Sequence, residues 1–440
     1  MGVERLFLTW SESLNRHVAQ NIQNPVSFLV QDVQRNTRIG VARGTRGRKA
    51  VPGVAMSEAF FSPVPRGLEG LLAEELNALG ASDSRTVPGG VEWRGDWLAC
   101  WRANLESRLA TRVLWRVGNG RYRGEADIYK LAHSLTWAKW FTPNETIRVF
   151  VTARHSPLKS LEFITLRIKD AVCDHFRAVH GSRPSVDTAR PMVRIHAFLD
   201  RDTVSLYLDT SGEPLYKRGF KPGTVEAPLK ENLAAGILRL SGWRADMDEP
   251  LVDPMCGSGT FLIEAAQIAL DIAPGLGRQF AFERLCSFNA QSWAAIRKAA
   301  EARRKPMRAL PIHGSDIAGS QLRRARENLT AAGLETCVGL TKADLLEYLP
   351  PAAGGVMVTN PPYGERLGEA EELAAFYPRL GDALKQRWTG WRCHFLSSDM
   401  NLPRAIGLKA SRRTPLFNGA LECRLFEYRM VAGSLRAPRQ

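Results

Sequence analysis

No stretch of this 440-residue chain stays apolar long enough to cross a bilayer. The densest, Phe261 to Ile272, is interrupted by Glu264, Gln267 and Asp271 and falls well short of the roughly 20 residues of a spanning helix, so no membrane partner is expected. Cysteine is also sparse: seven, at positions 100, 173, 256, 286, 337, 393 and 423, odd in number and scattered. No pair has metal-ligand spacing and the eight histidines do not cluster with them, which argues against a disulfide framework and a metal site and for reduced thiols in the cytoplasm. Acidic charge is short as well, with 60 Lys/Arg against 45 Asp/Glu and a net charge of +15. Such a balance favours a polyanionic partner over a small acidic substrate, but leaves ribosome, tRNA, DNA and anionic membrane surfaces all open.

What is present is the composition of a folded protein, 44% hydrophobic and 24% charged, at a length that calls for two or three cores. Residues 1–55 stand apart, with eight Lys/Arg, three Asp/Glu and no sustained period after Val30. They read as a basic flexible extension or the product of an unused upstream start, with Met56 as the alternative; an RNA-binding arm is the functional alternative. From Ala59 the pattern is regular. Phe60 and Phe61 open a strand, Leu68 to Leu79 recur at helical spacing until Gly80, and a second strand spans Gly90 to Trp93. Farther on, Ile147 to Val151 reads as a strand, Leu161 to Val179 as an amphipathic helix, and Val193 to Leu208 as a hairpin turning at Asp200-Arg201-Asp202. Between 98 and 225 there are 21 Lys/Arg and 12 Asp/Glu. Arg121, Arg123, Lys130, Arg154, Lys159, Arg167 and Lys169 are candidates for phosphate contacts, the alternative for each being a solvated surface charge. The basic, aromatic run Tyr216 to Lys221 suits a nucleic-acid path or a hinge.

The chemistry concentrates in two later stretches. Leu251 to Glu264, LVDPMCGSGTFLIE, reads as a buried strand stopped by Asp253 and Pro254, a turn of small residues (Cys256, Gly257, Ser258, Gly259, Thr260), and a buried helix. A glycine pair after a strand can be only a tight turn, but it also presents free N–H groups and a carboxylate where parallel sheets bind nucleotides. The second stretch, GVMVTNPPY from Gly355 to Tyr363, ends a strand in two prolines that cannot continue it. There the Asn360 amide and the Pro361 carbonyl can accept from an exocyclic amino group, Pro362 stiffens the exit, and Tyr363 can stack on the base; the alternative is a packing turn. Asp316 ends the next strand, Pro311 to Ser315, and is placed for ribose hydroxyls; the following helix is expected to be capped by Ser320 and stopped by Gly333. Asp344 follows the strand Val338–Thr341 as an acceptor for an adenine amino group or as a helix cap. Cys256 has no neighbouring His or acid in sequence to make it a nucleophile.

DPMCGSGTFLIEAA followed by NPPYGERLG resembles the class I S-adenosylmethionine-dependent RNA methyltransferases that carry a THUMP domain, and more narrowly the ribosomal large-subunit methyltransferase L type. The resemblance runs from about Ala59 to Val431. It implies an α/β fold: a C-terminal Rossmann-like domain at 226–432 with a mostly parallel seven-stranded sheet and an antiparallel last strand. An α+β module would precede it, made of a ferredoxin-like piece (56–97), a THUMP domain (98–211) and a basic linker (212–225), with a tail at 433–440. It further implies S-adenosylmethionine as cofactor, held by Asp253, Pro254, the 256–260 turn, Asp316 and Asp344, with Lys230 on the helix from Pro228 to Leu240 leaning over it. Asn360, Pro361, Pro362 and Tyr363 become the catalytic set, and no metal is required. The implied reaction is N2-methylation of a guanine in 23S rRNA by a monomer. A tRNA guanine is the nearest alternative, and a non-catalytic ribosome-assembly factor the alternative of another class. On this reading RNA affinity resides in 98–225, and Gly223 to Val431 is a separable cofactor-binding unit.

Overall fold

The computed structural model describes residues 57–220, 229–361 and 369–432. Residues 1–56, the connector's end with the expected helix start at Pro228, the motif residues Pro362 and Tyr363, and the tail 433–440 lie outside the described residues.

Seven strands make the first sheet: β1 (Glu58–Pro63), β2 (Ser82–Val87), β3 (Gly90–Gly95), β4 (Leu114–Arg121), β5 (Ile147–Arg154), β6 (Val193–Asp200) and β7 (Thr203–Asp209). Their order is β2-β3-β1-β4-β7-β6-β5. β1 pairs with β3 on one side and, through Phe60↔Trp115, with β4 on the other, so one sheet continues across both parts of the module. Aromatic rings cement the junction, with Phe60 stacked on Trp93 at 4.5 Å and Trp97 edge-on to Trp115 at 4.9 Å. The hairpin expected at 193–208 is present and turns at Arg201, which takes a positive φ. Helices α1 (Glu69–Ala78), α2 (Trp97–Glu106), α3 (Glu125–Ser134) and α4 (Leu161–His180) cover the sheet. α4 starts where the Ser160 hydroxyl accepts from Phe163 N–H and stops at Gly181 in the left-handed region.

After α5 (Glu231–Leu240) the chain enters the second sheet at β8 (Leu251–Asp253), followed by α6 (Thr260–Ala269), α7 (Ala290–Ala302) and β9 (Ile312–Asp316). Then come α8 (Gly319–Ala331), β10 (Gly339–Lys342), β11 (Gly355–Thr359), α9 (Glu369–Arg387), β12 (Trp391–Ser397), α10 (Leu402–Ile406), β13 (Arg412–Asn418) and β14 (Leu421–Arg429). The strand order is β10-β9-β8-β11-β12-β14-β13. β8 to β12 run parallel, and β14 is antiparallel to both neighbours. This is the Rossmann-like arrangement expected. Both faces of the sheet are covered. Val356 and Val358 of β11 join the core that continues into the first module, while Met357 between them joins a second core with Trp388, Trp391 and Phe395.

One local expectation is corrected. The cap of α8 is Ala318, not Ser320; the turn closes when Ala318 N–H donates to Asp316 Oδ1 at 2.9 Å, and the helix starts two residues earlier than expected. In the stretch 274–310, Phe282 and Phe288 pack on Trp101 of α2, and Phe280 and Trp293 pack on Phe282. Burying aromatic side chains of this size is worth about 1.5–3 kcal/mol each, which ties α7 to the first module.

Candidate active site

β8 is the switch point of the second sheet: successive strands step from it to β9 and β10 on one side, and β11 and β12 lie on the other. Open parallel sheets bind ligands beyond the carboxyl ends of the strands at such a point. Parallel register (Met357↔Val252, Asp253↔Gly314, Lys342↔Asp316) brings the ends of β8, β9, β10 and β11 to one edge, and with them Asp253, Asp316, Asp344 and Asn360.

The turn after β8 is built on hydrogen bonds. Cys256 N–H donates to Ser315 O at 2.9 Å, Gly257 N–H to Asp316 Oδ2 at 3.0 Å, and Gly259 N–H to Cys256 O at 2.8 Å. Gly257 sits at φ +50° with nothing within 4 Å of where a Cβ would stand, so the turn presents bare backbone to open space. Asn328 of α8, almost fully buried, donates Nδ2–H to Ser258 O at 2.9 Å, and the Ser315 hydroxyl donates to Pro254 O at 3.3 Å. Sequence reading passed over both. Asn328 could have been found as a polar residue between Ala325 and Leu329 on the buried face of α8.

The acids differ in environment. Asp253 is only 2% exposed, and burial pushes its pKa up to about 7, with the Asp316 charge acting the same way and the Met255 N–H opposing it. Asp316 accepts one N–H on each oxygen, from Gly257 and Ala318. A carboxylate has about four acceptor positions, so a second position on each oxygen remains for a vicinal diol. Asp344 Oδ1 accepts from Leu346 N–H at 2.9 Å and closes a turn over 345–347; no helix follows for it to cap. The Cys256 thiol is pushed well above its usual range by burial and by the charges of Asp253 and Asp316, which keeps it protonated and unsuited to nucleophilic attack. Thr260, buried, opens α6. Ile317, which the sequence reading missed, follows Asp316 and is 66% exposed beside the turn.

Asn360, half-buried, and Pro361, buried, leave β11 at the same edge; Pro362 and Tyr363 are outside the described residues. Lys230 is placed elsewhere. Its Nζ lies 5.2 Å from the Tyr216 ring centroid, and it lines a cleft shared with Arg66 and Phe417 that none of the turn residues line. Of the candidate phosphate contacts, Arg121, Arg154 and Lys169 are in ion pairs with Asp202, Asp200 and Asp170, and Arg167 covers Tyr129 at 4.4 Å. Arg218, expected on a path or hinge, is buried against Glu264. Among the described residues there is no group of three His, Cys, Asp or Glu able to hold a metal ion, and no helix long and apolar enough to cross a membrane.

Family models match three consecutive parts of the chain: an RlmL ferredoxin-like domain at 59–114, a THUMP domain at 122–209 and an RMKL-like methyltransferase domain at 218–427. The chain is similar to the ribosomal RNA large subunit methyltransferase K/L of Syntrophotalea carbinolica, 40% identical over 84% of this chain and 53% of that protein. The chain thus spans about half the length of the curated K/L relatives it matches. A Synechocystis sp. protein named as a candidate RNA methyltransferase is 36% identical over 86% of this chain and 98% of its own length. Among solved structures, SMU.472, described as a candidate methyltransferase complexed with SAH, superposes with a TM-score of 0.78 at 29% identity, covering 87% of this chain and all of that one.

Proposed function

Because the chain belongs to the THUMP-containing, S-adenosylmethionine-dependent RNA methyltransferases, we propose that it transfers a methyl group to the exocyclic N2 of a guanine in 23S rRNA. The observation that carries this is the convergence of the Asp253 turn, Asp316 and the Asn360-Pro361 exit on one sheet edge, at the switch point. The turn fits the cofactor: backbone without a side chain at Gly257, open space in front of it, and a carboxylate with acceptor positions to spare for ribose hydroxyls. Asp253, the 254–260 turn and Asp316 would hold S-adenosylmethionine, Ile317 would pack on the adenine face, and Asp344 would accept from its amino group. Bound there, S-adenosylmethionine supplies an activated methyl on a sulfonium whose departure leaves a neutral thioether. What this chain adds is position. The Asn360 amide oxygen and the Pro361 carbonyl accept the two N–H bonds of the target amine, turning its lone pair out of conjugation and toward the methyl. Tyr363 stacks on the extruded base, offsetting a flipping cost of a few kcal/mol.

The test uses labelled S-adenosylmethionine with the purified chain and rRNA lacking the modification, followed by mass mapping of nucleosides. N2-methylguanosine confined to 23S rRNA is the expected product. The same nucleoside in tRNA alone would replace the substrate by the nearest alternative, and binding of rRNA without any transfer would point to a non-catalytic assembly factor.

A further inference from the structure

A cleft of about 470 Å³ opens between the first module and the second sheet, lined by Val64 to Arg66 after β1, by Lys230 and Asn232 at the start of α5, and by the turn between β13 and β14. Its walls are closely packed. A Cβ at Gly67 (φ +93°) would stand 2.3 Å from Pro415 O, so the loop after β1 lies directly on β13. Asn232 joins α5 to the first module by donating Nδ2–H to Leu109 O at 3.1 Å and Thr111 Oγ1 at 3.2 Å. The cleft also faces the reaction edge. β14 is antiparallel to β12, with Ser397 at the carboxyl end of β12 opposite Arg424, so the β13–β14 turn lies on the same edge as Asn360.

The chemistry inside the cleft is incomplete. Both amide protons of Asn232 are committed to Leu109 and Thr111, which fixes the amide orientation. Its Oδ1 is then a fully buried acceptor without a hydrogen-bond partner among the described residues. A buried polar group left in that state is costly, and a ligand N–H or O–H would relieve it. At the rim stand two cations, Arg66 over Phe417 at 5.5 Å and Lys230 over Tyr216 at 5.2 Å, neither in an ion pair among the described residues. A buried acceptor, two cations and an aromatic ring lining one volume of this size match a nucleotide.

We propose that the cleft seats one nucleotide of the RNA strand adjoining the target base, its phosphate between Arg66 and Lys230 and a base or ribose donor on Asn232 Oδ1. The seat rests on the RNA-methyltransferase reading and adds a positioning element to it: a strand anchored here is led across the sheet edge to Asn360. It also moves Lys230 from the cofactor to the substrate.

The test is equilibrium binding of a short fluorescein-labelled single-stranded oligoribonucleotide to the full chain over a salt series, beside calorimetry with S-adenosylmethionine. In the double variant Arg66→Ala, Lys230→Ala, RNA affinity should fall about tenfold and the log–log salt slope should become shallower by about 0.7 for the lost phosphate contact. S-adenosylmethionine affinity should stay within about twofold. A single abasic or 2′-deoxy substitution in the oligoribonucleotide should weaken binding to the original chain at one position and leave the double variant indifferent there. Unchanged RNA affinity and slope would overturn the seat; so would a selective loss of S-adenosylmethionine affinity, which would return the cleft to the cofactor. If the original chain binds the oligoribonucleotide but methylates no RNA, the proposed function fails while the isotherms still decide the seat.

Discussion

At the scale of single residues, the proposed site separates binding from positioning, and two substitutions test that separation. Asn360→Ala removes an acceptor assigned to the target amine and not to the cofactor. S-adenosylmethionine affinity should remain within a few-fold while the single-turnover rate drops by about two to four orders of magnitude; undiminished turnover would reduce the exit of β11 to a structural loop. Asp253 tests the cofactor side through pH. Its folded pKa of about 7 lies above the ordinary 3.8, so between those values the folded chain keeps a proton that the unfolded chain has lost. Stability without cofactor should therefore fall as pH rises from about 4 to about 7, by on the order of 4 kcal/mol at most, and stay lower above that. Asp253→Asn, whose amide oxygen can still accept from Met255 N–H, should flatten this slope and melt higher than the original chain at pH 8 while binding S-adenosylmethionine more weakly. Thermal melts across pH check the first effect and calorimetry the second.

At the scale of elements, what could be read from the sequence was what local physics dictates. The alternation of Val193 to Leu208 predicts a hairpin because one face is buried; β6 buries alternate residues as expected, whereas β7 alternates only as far as Leu206 and is buried at every position from there to Asp209. The turn after β8 and the carboxylate of Asp316 were legible because small residues after an apolar run have few other uses. β2, by contrast, reads SDSRTV and is exposed along most of its length, so it carries no apolar period; β4 is masked by Gly118 and Gly120. Lys230 was placed by resemblance alone, whereas its surroundings depend on how distant parts of the chain meet. The same dependence makes Gly236 of α5 informative. A Cβ there would lie 2.4 Å from the fully buried Leu68 side chain, so the glycine marks a helix packed against the first module and not a flexible point. Gly236→Ala should destabilise despite a helix-propensity gain of up to about 1 kcal/mol, because overpacking costs about 1–3 kcal/mol. Adding Leu68→Ala should then cost less than Leu68→Ala alone. Strict additivity in urea melts would show that the two side chains do not compete for the same space.

At the scale of the whole molecule, the expectation of an RNA-binding half joined by a hinge to a separable cofactor-binding half meets a buried ionic cluster. Glu264 of α6, in the helix that continues the turn after β8, is fully buried. It accepts from Arg218 Nε at 3.1 Å and Arg108 Nη1 at 3.3 Å, one from the connector and one from the first module. Arg218 also donates to Leu215 O and Arg108 O, and Arg108 to Ile272 O, so the guanidinium groups are held by carbonyls as well as by charge. Removing the acid would leave two arginines without their shared counter-charge, a loss of about 3–5 kcal/mol for a buried pair, whereas exposed pairs such as Arg121–Asp202 contribute about 1 kcal/mol or less. Glu264→Gln should therefore lower the melting temperature strongly, and added salt should not reproduce the effect, because screening acts mainly on exposed charges. The same cluster decides the fate of a fragment spanning 226–432. Without Arg108 and Arg218 it would carry an uncompensated carboxylate at the root of the cofactor turn and expose the faces of α5 and α6 that the first module covers. It should aggregate or unfold without a cooperative transition, while 57–432 should melt in one step. A fragment that is soluble, melts cooperatively and binds S-adenosylmethionine as tightly as the full chain would show that the cluster is an accessory to the cofactor turn and not its foundation.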